Sequence, residues 1–532
     1  MPFATAHTLA LQGAVGHLID VQVDVSQGVV GTTLVGRPDA ALSEAKDRCR
    51  MAVNNSVLGD ARWPTTRRVT ILLSPADLPK RGTHFDLAIA VATLAASGWI
   101  PGDGLADTAF IGELTLSGGL RSVPGVLPMV LAASGRGIGR VFVPEPQSAE
   151  ARMVPGMAVF GVRSLAQVAA LLCGDPAPEA PPVAPMSGNR LLSWRGQERM
   201  GEHDLADMAG MHDARYALEV AAAGGHHLML SGPRGSGKTT LAERIPGILP
   251  DLSPEESLEL TAIHSLAGAL EPGDGMLTRP PFFAPHHDAS KASLLGGGTG
   301  RVRPGEISRS HCGVLFLDEF PLFRADVIEA LRQPLESGEV TIARGEQSST
   351  FPARGMVVLA ANPCPCGDYH PDAPSDGCTC SEVRRRDYRS RFTGPVADRI
   401  DILRHVLPVR QHEVDDPIGP GPEPSAAVRR RVELARERQQ DRYAGRSWRL
   451  NGQAPGPALV QEWPLDASAQ QVLDAEMYAG RLSRRGIVRV HRVAWTVADL
   501  WGTLRPGVDE LDVALRLRTG QPLLLRTLGR AG

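Results

Sequence analysis

The chain of 532 residues is poor in aromatic side chains and contains no long apolar run. Its longest apolar stretch, residues 87–100, is shorter than the ~20 residues that a membrane-spanning helix needs. No basic segment precedes an apolar one near the first residue, so a secretory signal is not indicated. The seven cysteines do not follow the pattern of a secreted, disulfide-rich protein. We therefore expect a cytoplasmic protein with no membrane partner.

An excess of charge of one sign is also missing, because 56 Lys and Arg face 59 Asp and Glu, for a net charge of -3. A global basic field that would attract nucleic acid is thus excluded, and any such contact must come from a local patch. The hydrophobic share of 42% is typical of a globular protein. At about 100–200 residues per domain, the length predicts three or four domains.

Two proline-rich stretches, residues 174–189 and 416–425, read as linkers and divide the chain into three parts. The first part, 1–173, mixes strand-like and helical runs, which indicates an α+β domain. The second, 190–415, alternates buried strands with helices, as a parallel sheet requires. The third, 426–532, is mostly helical. The sequence therefore predicts an α/β multidomain protein.

A glycine-rich loop follows the apolar run 228–230 and precedes a helical segment. It matches the phosphate-binding pattern G-x-x-x-x-G-K-[ST] in the strand–loop–helix setting that gives the pattern its meaning. Backbone N–H groups of such a loop bind phosphate oxygens, the lysine neutralises the β- and γ-phosphates, and the hydroxyl after it ligates Mg²⁺. We expect ATP and Mg²⁺ to bind at Gly232, Pro233, Arg234, Gly235, Ser236, Gly237, Lys238, Thr239 and Thr240.

Polar side chains also follow two further apolar runs. Residues 314–317 precede Asp318 and Glu319, and residues 356–361 precede Asn362. Carboxylates at the carboxyl end of a central strand suit a Mg²⁺ ligand, here Asp318, and a base that activates water, here Glu319. Asn362 is expected to orient the same water.

Four cysteines lie close together in a loop rich in Pro, Gly and Asp: Cys364, Cys366, Cys378 and Cys380. Four thiolates could hold one structural Zn²⁺, whose binding would order a loop with few apolar residues. His370 is an alternative ligand. Four reduced thiols without metal are the competing interpretation, since C-x-C pairs are rarer in zinc sites than C-x-x-C.

Longer motifs resemble those of a known family. The stretches are Arg279-Pro-Pro-Phe-Phe-Ala-Pro-His-His287, Pro304-Gly-Glu-Ile-Ser308, Leu331-Arg-Gln-Pro-Leu-Glu336 and Asn362-Pro-Cys-Pro-Cys-Gly367. Together they are similar to the ComM/YifB family of magnesium-chelatase-like AAA+ ATPases, over nearly the whole chain. The resemblance implies a P-loop AAA+ parallel-sheet core, a Lon-like N-terminal domain of the ribosomal S5 domain 2 type, and an α-helical C-terminal lid.

The resemblance also implies residue roles that spacing alone does not show. Arg399 matches the arginine finger that reaches a neighbouring subunit's nucleotide, which implies a homo-hexamer. Arg485 matches the sensor-2 arginine, with Arg484 as a competing candidate. Residues 340–351 resemble a hairpin that faces the central pore, so Arg344 is expected to contact single-stranded or branched DNA.

The function that the family resemblance implies is an ATP-dependent DNA motor, a branch-migration helicase that supports the integration of incoming DNA during natural transformation and recombination. The alternative is a magnesium-chelatase-type motor subunit that remodels a protein partner. Peptidase activity is not expected, because alignment with Lon-like proteases places His84 and Leu127 where their serine and lysine stand.

Overall fold

The computed structural model describes residues 3–36, 38–56, 58–184, 203–270, 274–298, 302–344, 347–369, 377–393, 396–408 and 423–524. Three regions follow one another: a mixed sheet with helices, a parallel sheet with helices, and a group of helices. This arrangement confirms the predicted fold class. No helix among these residues is both long and apolar enough to cross a bilayer.

The first region is built on a seven-stranded mixed sheet in the order β3-β4-β2-β1-β5-β8-β9. Its strands, with a separate small hairpin of β6 and β7, are β1 (Phe3–Gln12), β2 (Val15–Ser26), β3 (Gly31–Val35), β4 (Arg68–Ser74), β5 (Thr108–Phe110), β6 (Glu113–Leu114), β7 (Leu120–Arg121), β8 (Arg140–Pro144) and β9 (Ala158–Val162). Its helices are α1 (Ala40–Ser43), α2 (Ala45–Asn55), α3 (Asp86–Ala96), α4 (Val126–Ser134), α5 (Ser148–Ala151) and α6 (Leu165–Cys173).

Helix α3 is the centre of this region, because every one of its side chains is buried. Its first residue, Asp86, is a fully buried carboxylate that accepts hydrogen bonds from Arg48 Nε at 2.8 Å and Nη2 at 3.0 Å. Burial raises the pKa of Asp86 to about 6 even though Arg48 opposes the shift. A buried charge needs such a partner, so the pair fixes helix α2 against helix α3.

The second region contains a five-stranded sheet in the order β11-β14-β17-β10-β18, and all of its strand pairs are parallel. The strands of this region are β10 (Leu228–Ser231), β11 (Phe282–Phe283), β12 (Gly296–Gly297), β13 (Arg303–Pro304), β14 (Val314–Leu317), β15 (Glu339–Arg344), β16 (Gln347–Pro352), β17 (Met356–Ala361) and β18 (Ile402–His405). Strands β12 and β13 form one antiparallel pair, and β15 and β16 form another.

Helices surround this sheet: α7 (His212–Gly224), α8 (Lys238–Glu243), α9 (Ile245–Ile248), α10 (Pro254–Ala267), α11 (Lys291–Leu295), α12 (Glu306–Arg309), α13 (Ala325–Ala330), α14 (Arg332–Ser337) and α15 (Glu382–Thr393). The four longer strands β10, β14, β17 and β18 are short runs of buried residues, except at two positions in β18. Near-continuous apolar strands are what a sheet covered on both faces requires.

Within residues 423–524 the third region has five α-helices: α16 (Ser425–Arg442), α17 (Gly456–Glu462), α18 (Ala467–Tyr478), α19 (Arg484–Trp501) and α20 (Val508–Thr519). Apolar residues of α16, α19 and α20 share one core with α7 and strand β10. The third region is therefore packed onto the parallel sheet. The Ser425 hydroxyl accepts the Leu205 N–H at 2.8 Å, which ties the first turn of α16 to the second region.

The first region also packs onto the second, through helices α4 and α10. Leu258 and Ala262 of α10 join the apolar cluster that contains Leu127 and Val130 of α4. At the same contact the Ser265 hydroxyl donates a hydrogen bond to the Glu150 carboxylate. Burial raises the pKa of Glu150.

The two predicted linkers lie only partly within the described residues. Residues 174–184 follow the surface of the first region, where Gln167 donates to the Pro178 carbonyl at 2.8 Å and Ser122 to the Ala184 carbonyl at 3.2 Å. Val183 is buried there. Residues 185–189 and 416–422 lie outside the described residues, so the domain boundaries stay predictions.

A buried ion pair joins the third region to the sheet. Arg489 of α19 contacts the Asp401 carboxylate at 2.5 Å and donates to the Asp398 carbonyl at 2.8 Å. Burial favours protonation of Asp401, but the Arg489 charge and the neighbouring histidines outweigh it and hold its pKa well below the usual 3.8. Because the pKa of Asp401 is lower in the folded protein than the usual 3.8, the pair stabilises the folded state above pH 3.8. This stabilisation is lost as the pH falls through the folded-state pKa.

Replacing Arg489 with alanine should destabilise the protein strongly, because it leaves the Asp401 carboxylate buried without its guanidinium partner. Removing one partner of such a pair costs about 3–5 kcal/mol. Urea unfolding at pH 7, followed by tryptophan fluorescence, measures the loss. The matched control is Arg481→Ala, which breaks the exposed pair with Glu476 and should leave the midpoint nearly unchanged. Equal midpoints for the two variants would contradict the assignment.

Candidate functional site

The glycine-rich loop joins strand β10 to helix α8 and is pressed against the end of strand β18. A Cβ atom added at Gly232 would lie 2.0 Å from the Val406 carbonyl oxygen, so only glycine fits there. Gly235 and Gly237 have φ angles of 73° and 85°, in the left-handed region that glycine adopts without strain. The loop therefore turns tightly, and the N-terminus of α8 faces the space it encloses.

Lys238 folds back over this loop. Its Nζ donates hydrogen bonds to the carbonyl oxygens of Gly232 at 2.7 Å and Pro233 at 2.8 Å, and the side chain is buried. Burial lowers the pKa of Lys238, while the charges of Asp318 and Glu319 oppose the shift. The ammonium group is thus held at the centre of the loop, where phosphate oxygens could replace the carbonyl acceptors.

The two carboxylates lie where strand β14 ends. The Thr239 hydroxyl donates to Asp318 Oδ2 at 2.8 Å, and Asp318 Oδ1 accepts the Glu319 N–H, also at 2.8 Å. Glu319 has a φ of 49°, a left-handed conformation that costs free energy for a residue with a side chain. Thr239 and Asp318 thereby present two oxygen ligands suited to Mg²⁺, with Glu319 directly beside them.

Asn362 completes this edge of the sheet. It follows strand β17, whose last residue Ala361 is in register with Ser231, and the Gly232 N–H bonds to the Ala361 carbonyl at 3.2 Å. The Asn362 side chain is buried. The structure thus brings the predicted P-loop, Asp318, Glu319 and Asn362 to one edge of the parallel sheet.

Two residues of this edge were missed by sequence reasoning. Tyr388 of α15 is buried beside Asn362 and Glu319, and burial raises its pKa to about 12. His287 lies with Nδ1 at 3.7 Å from Glu319 Oε2. A weak signal for His287 existed, since His286 and His287 lie three and four residues after the apolar pair Phe282–Phe283. Tyr388 gave no signal, because it lies in an arginine-rich helix.

The predicted arginines lie at a different place. Arg399 is buried and contacts Glu336 Oε2 at 2.5 Å, and Arg485 Nη2 lies 3.7 Å from Glu336 Oε1. Both line a cavity of about 530 Å³, as does Arg484. None of the described P-loop residues lines that cavity. The structure thus brings Arg399, Arg484 and Arg485 together, apart from the loop of the same chain.

Arg344 is the last residue of strand β15 and pairs with Gln347 across the hairpin. Gly345 and Glu346, at the predicted turn, lie outside the described residues. The Thr341 and Thr350 hydroxyls approach to 3.1 Å across the two strands. A Cβ atom added at Gly13 would lie 2.9 Å from the Thr350 carbonyl oxygen, so the turn between β1 and β2 closely approaches this hairpin.

The four clustered cysteines converge. The Cys364 sulfur lies 3.2 Å from that of Cys366 and 3.8 Å from that of Cys378, and all four sulfurs lie within 4.8 Å of one another. Burial raises the pKa of Cys364, whereas backbone N–H groups, led by that of Asp368, lower the pKa of Cys366. His370 lies outside the described residues. Four sulfurs at this spacing form a donor set suited to a tetrahedral zinc ion.

Two arginine-rich stretches, residues 384–386 and 429–431, differ in whether their charges are paired within the protein. Arg429 pairs with Asp251 and Glu433, and Arg431 pairs with Glu219 and Glu423. Those guanidinium groups are therefore engaged within the protein, which favours a structural role. In helix α15, by contrast, Arg384 and Arg386 are exposed, while Arg385 stacks over the Tyr369 ring at 4.5 Å.

His84, which aligns with the serine of Lon-like proteases, and its neighbours Lys80 and Thr83 are engaged in other contacts. The Thr83 hydroxyl donates to the Glu113 carboxylate, and the His84 ring lies 2.7 Å from the Leu9 carbonyl oxygen. The Lys80 ammonium is buried and donates to the Pro75 carbonyl. The lack of peptidase activity stays a prediction.

Comparisons with known proteins cover all three regions. A family profile described as "Magnesium chelatase, subunit ChlI" matches residues 204–414. "Subunit ChlI of Mg-chelatase" matches residues 21–147, and "Magnesium chelatase, subunit ChlI C-terminal" matches residues 422–518. With the parallel sheet and its glycine-rich loop, these matches define a magnesium-chelatase-like AAA+ protein.

Relatives that match over nearly their whole length identify the family within this class. An uncharacterised protein of Mycobacterium tuberculosis is 44% identical over 97% of this chain and 99% of its own length. The uncharacterised protein YifB of Escherichia coli is 37% identical over 100% of this chain and 98% of its own. The competence protein ComM of Haemophilus influenzae is 37% identical over 98% and 99%. The chain belongs to the ComM/YifB family.

Proposed function

We propose that this chain is an ATP-hydrolysing motor that acts on DNA as a hexameric branch-migration helicase, supporting the integration of incoming DNA. The observation that carries the ATPase half is the convergence of Lys238, Thr239, Asp318, Glu319 and Asn362 at one sheet edge. Similarity to a relative named competence protein supports the DNA half.

Each residue of this edge has a part in the proposed hydrolysis. Thr239 and Asp318 would hold Mg²⁺, which neutralises charge on the β- and γ-phosphates. Glu319 accepts a proton from the water that attacks the γ-phosphorus, as the bond to the leaving ADP oxygen breaks. Asn362 orients that water, and Lys238 binds the oxygens of the transferred phosphoryl group.

Assembly follows from where the arginines lie. Arg399 is paired with Glu336 at a cavity that the P-loop of its own chain does not line. The guanidinium of Arg399 is proposed to stabilise the transition state at the nucleotide of a neighbouring subunit. We therefore propose a closed ring, with six subunits as the family resemblance implies. Arg485 is proposed to serve as sensor 2, with Arg484 as the competing candidate, and both line the same cavity.

DNA contact is proposed at the hairpin of β15 and β16, through Arg344 at its end and the exposed Arg384 and Arg386 of helix α15. Cationic side chains bind the phosphate backbone without regard to sequence. A magnesium-chelatase-type role in remodelling a protein partner is the second candidate, because the matching family profiles carry that name.

The four sulfurs are proposed to hold one structural Zn²⁺. The thiolates would bind it, and the ion would order the loop that separates strand β17 from helix α15. Cys364 follows Asn362 by two residues, so this loop adjoins the edge of the parallel sheet that carries the proposed nucleotide site.

Two variants separate nucleotide binding from hydrolysis. Lys238→Ala should lose ATP binding, because the ammonium group that binds the phosphate oxygens is removed. Glu319→Gln should still bind ATP but hydrolyse it about 100-fold or more slowly, since the base is removed. Binding is measured with a fluorescent ATP analogue and turnover by phosphate release. Glu329→Gln, which changes an exposed carboxylate of helix α13, is the control. Turnover at the wild-type rate in Glu319→Gln would show that another group is the base.

Strand displacement tests the proposed DNA activity. Forked and three-stranded DNA substrates, incubated with the protein with and without ATP, should be resolved only with ATP. Glu319→Gln serves as the control, because it should bind but not resolve them. The salt concentration is varied, since phosphate contacts weaken steeply with salt. ATP hydrolysis without displacement of any substrate would favour the protein-remodelling function instead.

Metal analysis tests the cysteine cluster. Protein purified without chelator should contain about one zinc ion per chain. Cys378→Ser should lose that zinc, whereas Cys173→Ser, at an exposed cysteine outside the cluster, should retain it. A zinc content near zero in the wild-type protein would refute the site.

A further inference from the structure

The third residue of the glycine-rich loop is an arginine whose side chain the phosphate-binding pattern does not specify. Arg234 occupies a variable position of G-x-x-x-x-G-K-[ST], where the backbone and not the side chain is expected to bind phosphate. Together with Lys238 it gives residues 232–240 two positive charges and no carboxylate. Arg234 is exposed, and its guanidinium group has no ion pair or hydrogen bond with any residue that the structure describes.

The stem of Arg234 lies against the loop that carries the cysteine cluster. A Cβ atom added at Gly367 would lie 2.5 Å from Arg234 Cγ, 2.8 Å from Cδ and 2.9 Å from Nε. Gly367 has a φ of 88°, and its N–H donates to the Cys364 carbonyl at 3.0 Å. Any other residue would be strained at this position and would collide with the arginine. Three consecutive side-chain atoms of Arg234 are therefore supported by the Gly367 backbone.

Strand register explains why two segments that are distant in sequence meet here. Strands β10 and β17 are parallel neighbours, with Ser231 in register with Ala361. Arg234 follows the end of β10 by three residues, and Gly367 follows the end of β17 by six. The chain leaves both strands at the same edge of the sheet, which is also where Asn362 lies. Backbone pairing therefore brings the two segments together.

The guanidinium group lies at the end of the loop where the terminal phosphate is proposed to bind. Tyr388 is buried beside Asn362, and burial raises its pKa to about 12. The negative charge of Glu319 adds to this rise in the pKa and the positive charge of Arg234 opposes it, so both charges lie near one hydroxyl. Glu319 and Asn362 are the residues proposed to act on the water that attacks the γ-phosphorus. Arg234 thus shares their end of the loop.

We propose that Arg234 is a second cation for the γ-phosphate, which makes this site select a nucleoside triphosphate over the diphosphate. Its guanidinium group donates hydrogen bonds to γ-phosphate oxygens, while Lys238 binds between the β- and γ-phosphates. ADP lacks the γ-phosphate, so it cannot form this contact. Gly367 keeps the arginine at that end of the loop, because the stem of the side chain rests on its backbone. The inference rests on the proposed function, whose nucleotide site it deepens.

The test compares triphosphate and ADP binding in Arg234→Ala and in the matched control Arg481→Ala, another exposed arginine. Binding is measured at constant Mg²⁺ by displacement of a fluorescent ADP analogue. The triphosphate probe is an ATP analogue whose β–γ bridging oxygen is replaced by nitrogen, so hydrolysis does not interfere. Arg234→Ala should weaken triphosphate binding about ten-fold, the loss expected for a charge-assisted hydrogen bond, and ADP binding less than about two-fold. Arg481→Ala should match the wild type for both nucleotides.

Charge and packing are told apart by two further variants. Arg234→Gln keeps Cγ and Cδ against Gly367 but lacks the charge, so it should lose selectivity as Arg234→Ala does. Arg234→Lys keeps the charge and should retain most of the selectivity. Each variant is first checked for a cooperative thermal transition. A ratio of ADP to triphosphate dissociation constants that equals the wild-type value in folded Arg234→Ala or Arg234→Gln overturns the proposal.

A double-mutant cycle tests the support from Gly367. Gly367→Ala should displace the arginine and weaken triphosphate binding at least about two-fold, yet add little once Arg234 is alanine, because contacting residues are not independent. Equal losses in both backgrounds would overturn the positioning role of Gly367.

The outcome also separates this inference from the proposed function. Full selectivity in Arg234→Ala, together with loss of ATP binding in Lys238→Ala, would refute the role of Arg234 and leave the nucleotide site standing. A wild-type protein that binds neither nucleotide would refute the nucleotide site itself, and the role of Arg234 with it.

Discussion

The parallel register of strands β10, β14 and β17 is the constraint on which the proposed nucleotide site depends. Ser231 lies level with Ala361, and Leu317 lies level with Leu359, so the three strands end within two residues of one another. Polar side chains that directly follow them must meet. Backbone hydrogen bonds, and not contacts among the polar groups themselves, therefore set the distances on which the proposed chemistry relies.

The positively charged residues of the proposed site lie at two separate places on the chain. Lys238 lies within the loop that the sheet edge supports, whereas Arg399 and Arg485 share Glu336 at a cavity elsewhere on the chain. Helix α19 is fixed in this arrangement by the buried contact of Arg489 with Asp401. A single chain thus presents the proposed site for the triphosphate and, at another place, the guanidinium groups proposed to act on a neighbour's nucleotide.

Local pattern was sufficient to predict the loop, both carboxylates and Asn362, because each directly follows an apolar strand and the strands are parallel. Contacts between segments distant in sequence could not be predicted in that way. Glu336 binds Arg399 across 63 positions of the chain, and the pairing of Arg431 with Glu219 spans 212. The latter pairing engages the charge of Arg431 within the protein. The positions of Tyr388 and His287 likewise depend on how helix α15 and strand β11 pack.

The proline-rich stretch after helix α6 has a mechanical consequence. Its residues 174–184 follow the first region through the Pro178 and Ala184 carbonyls and the buried Val183. An extended chain spans roughly 3.3–3.6 Å per residue, so about 35–40 Å of this stretch is held against the first region. Any rotation of the first region relative to the second would also have to break the contact between helices α4 and α10.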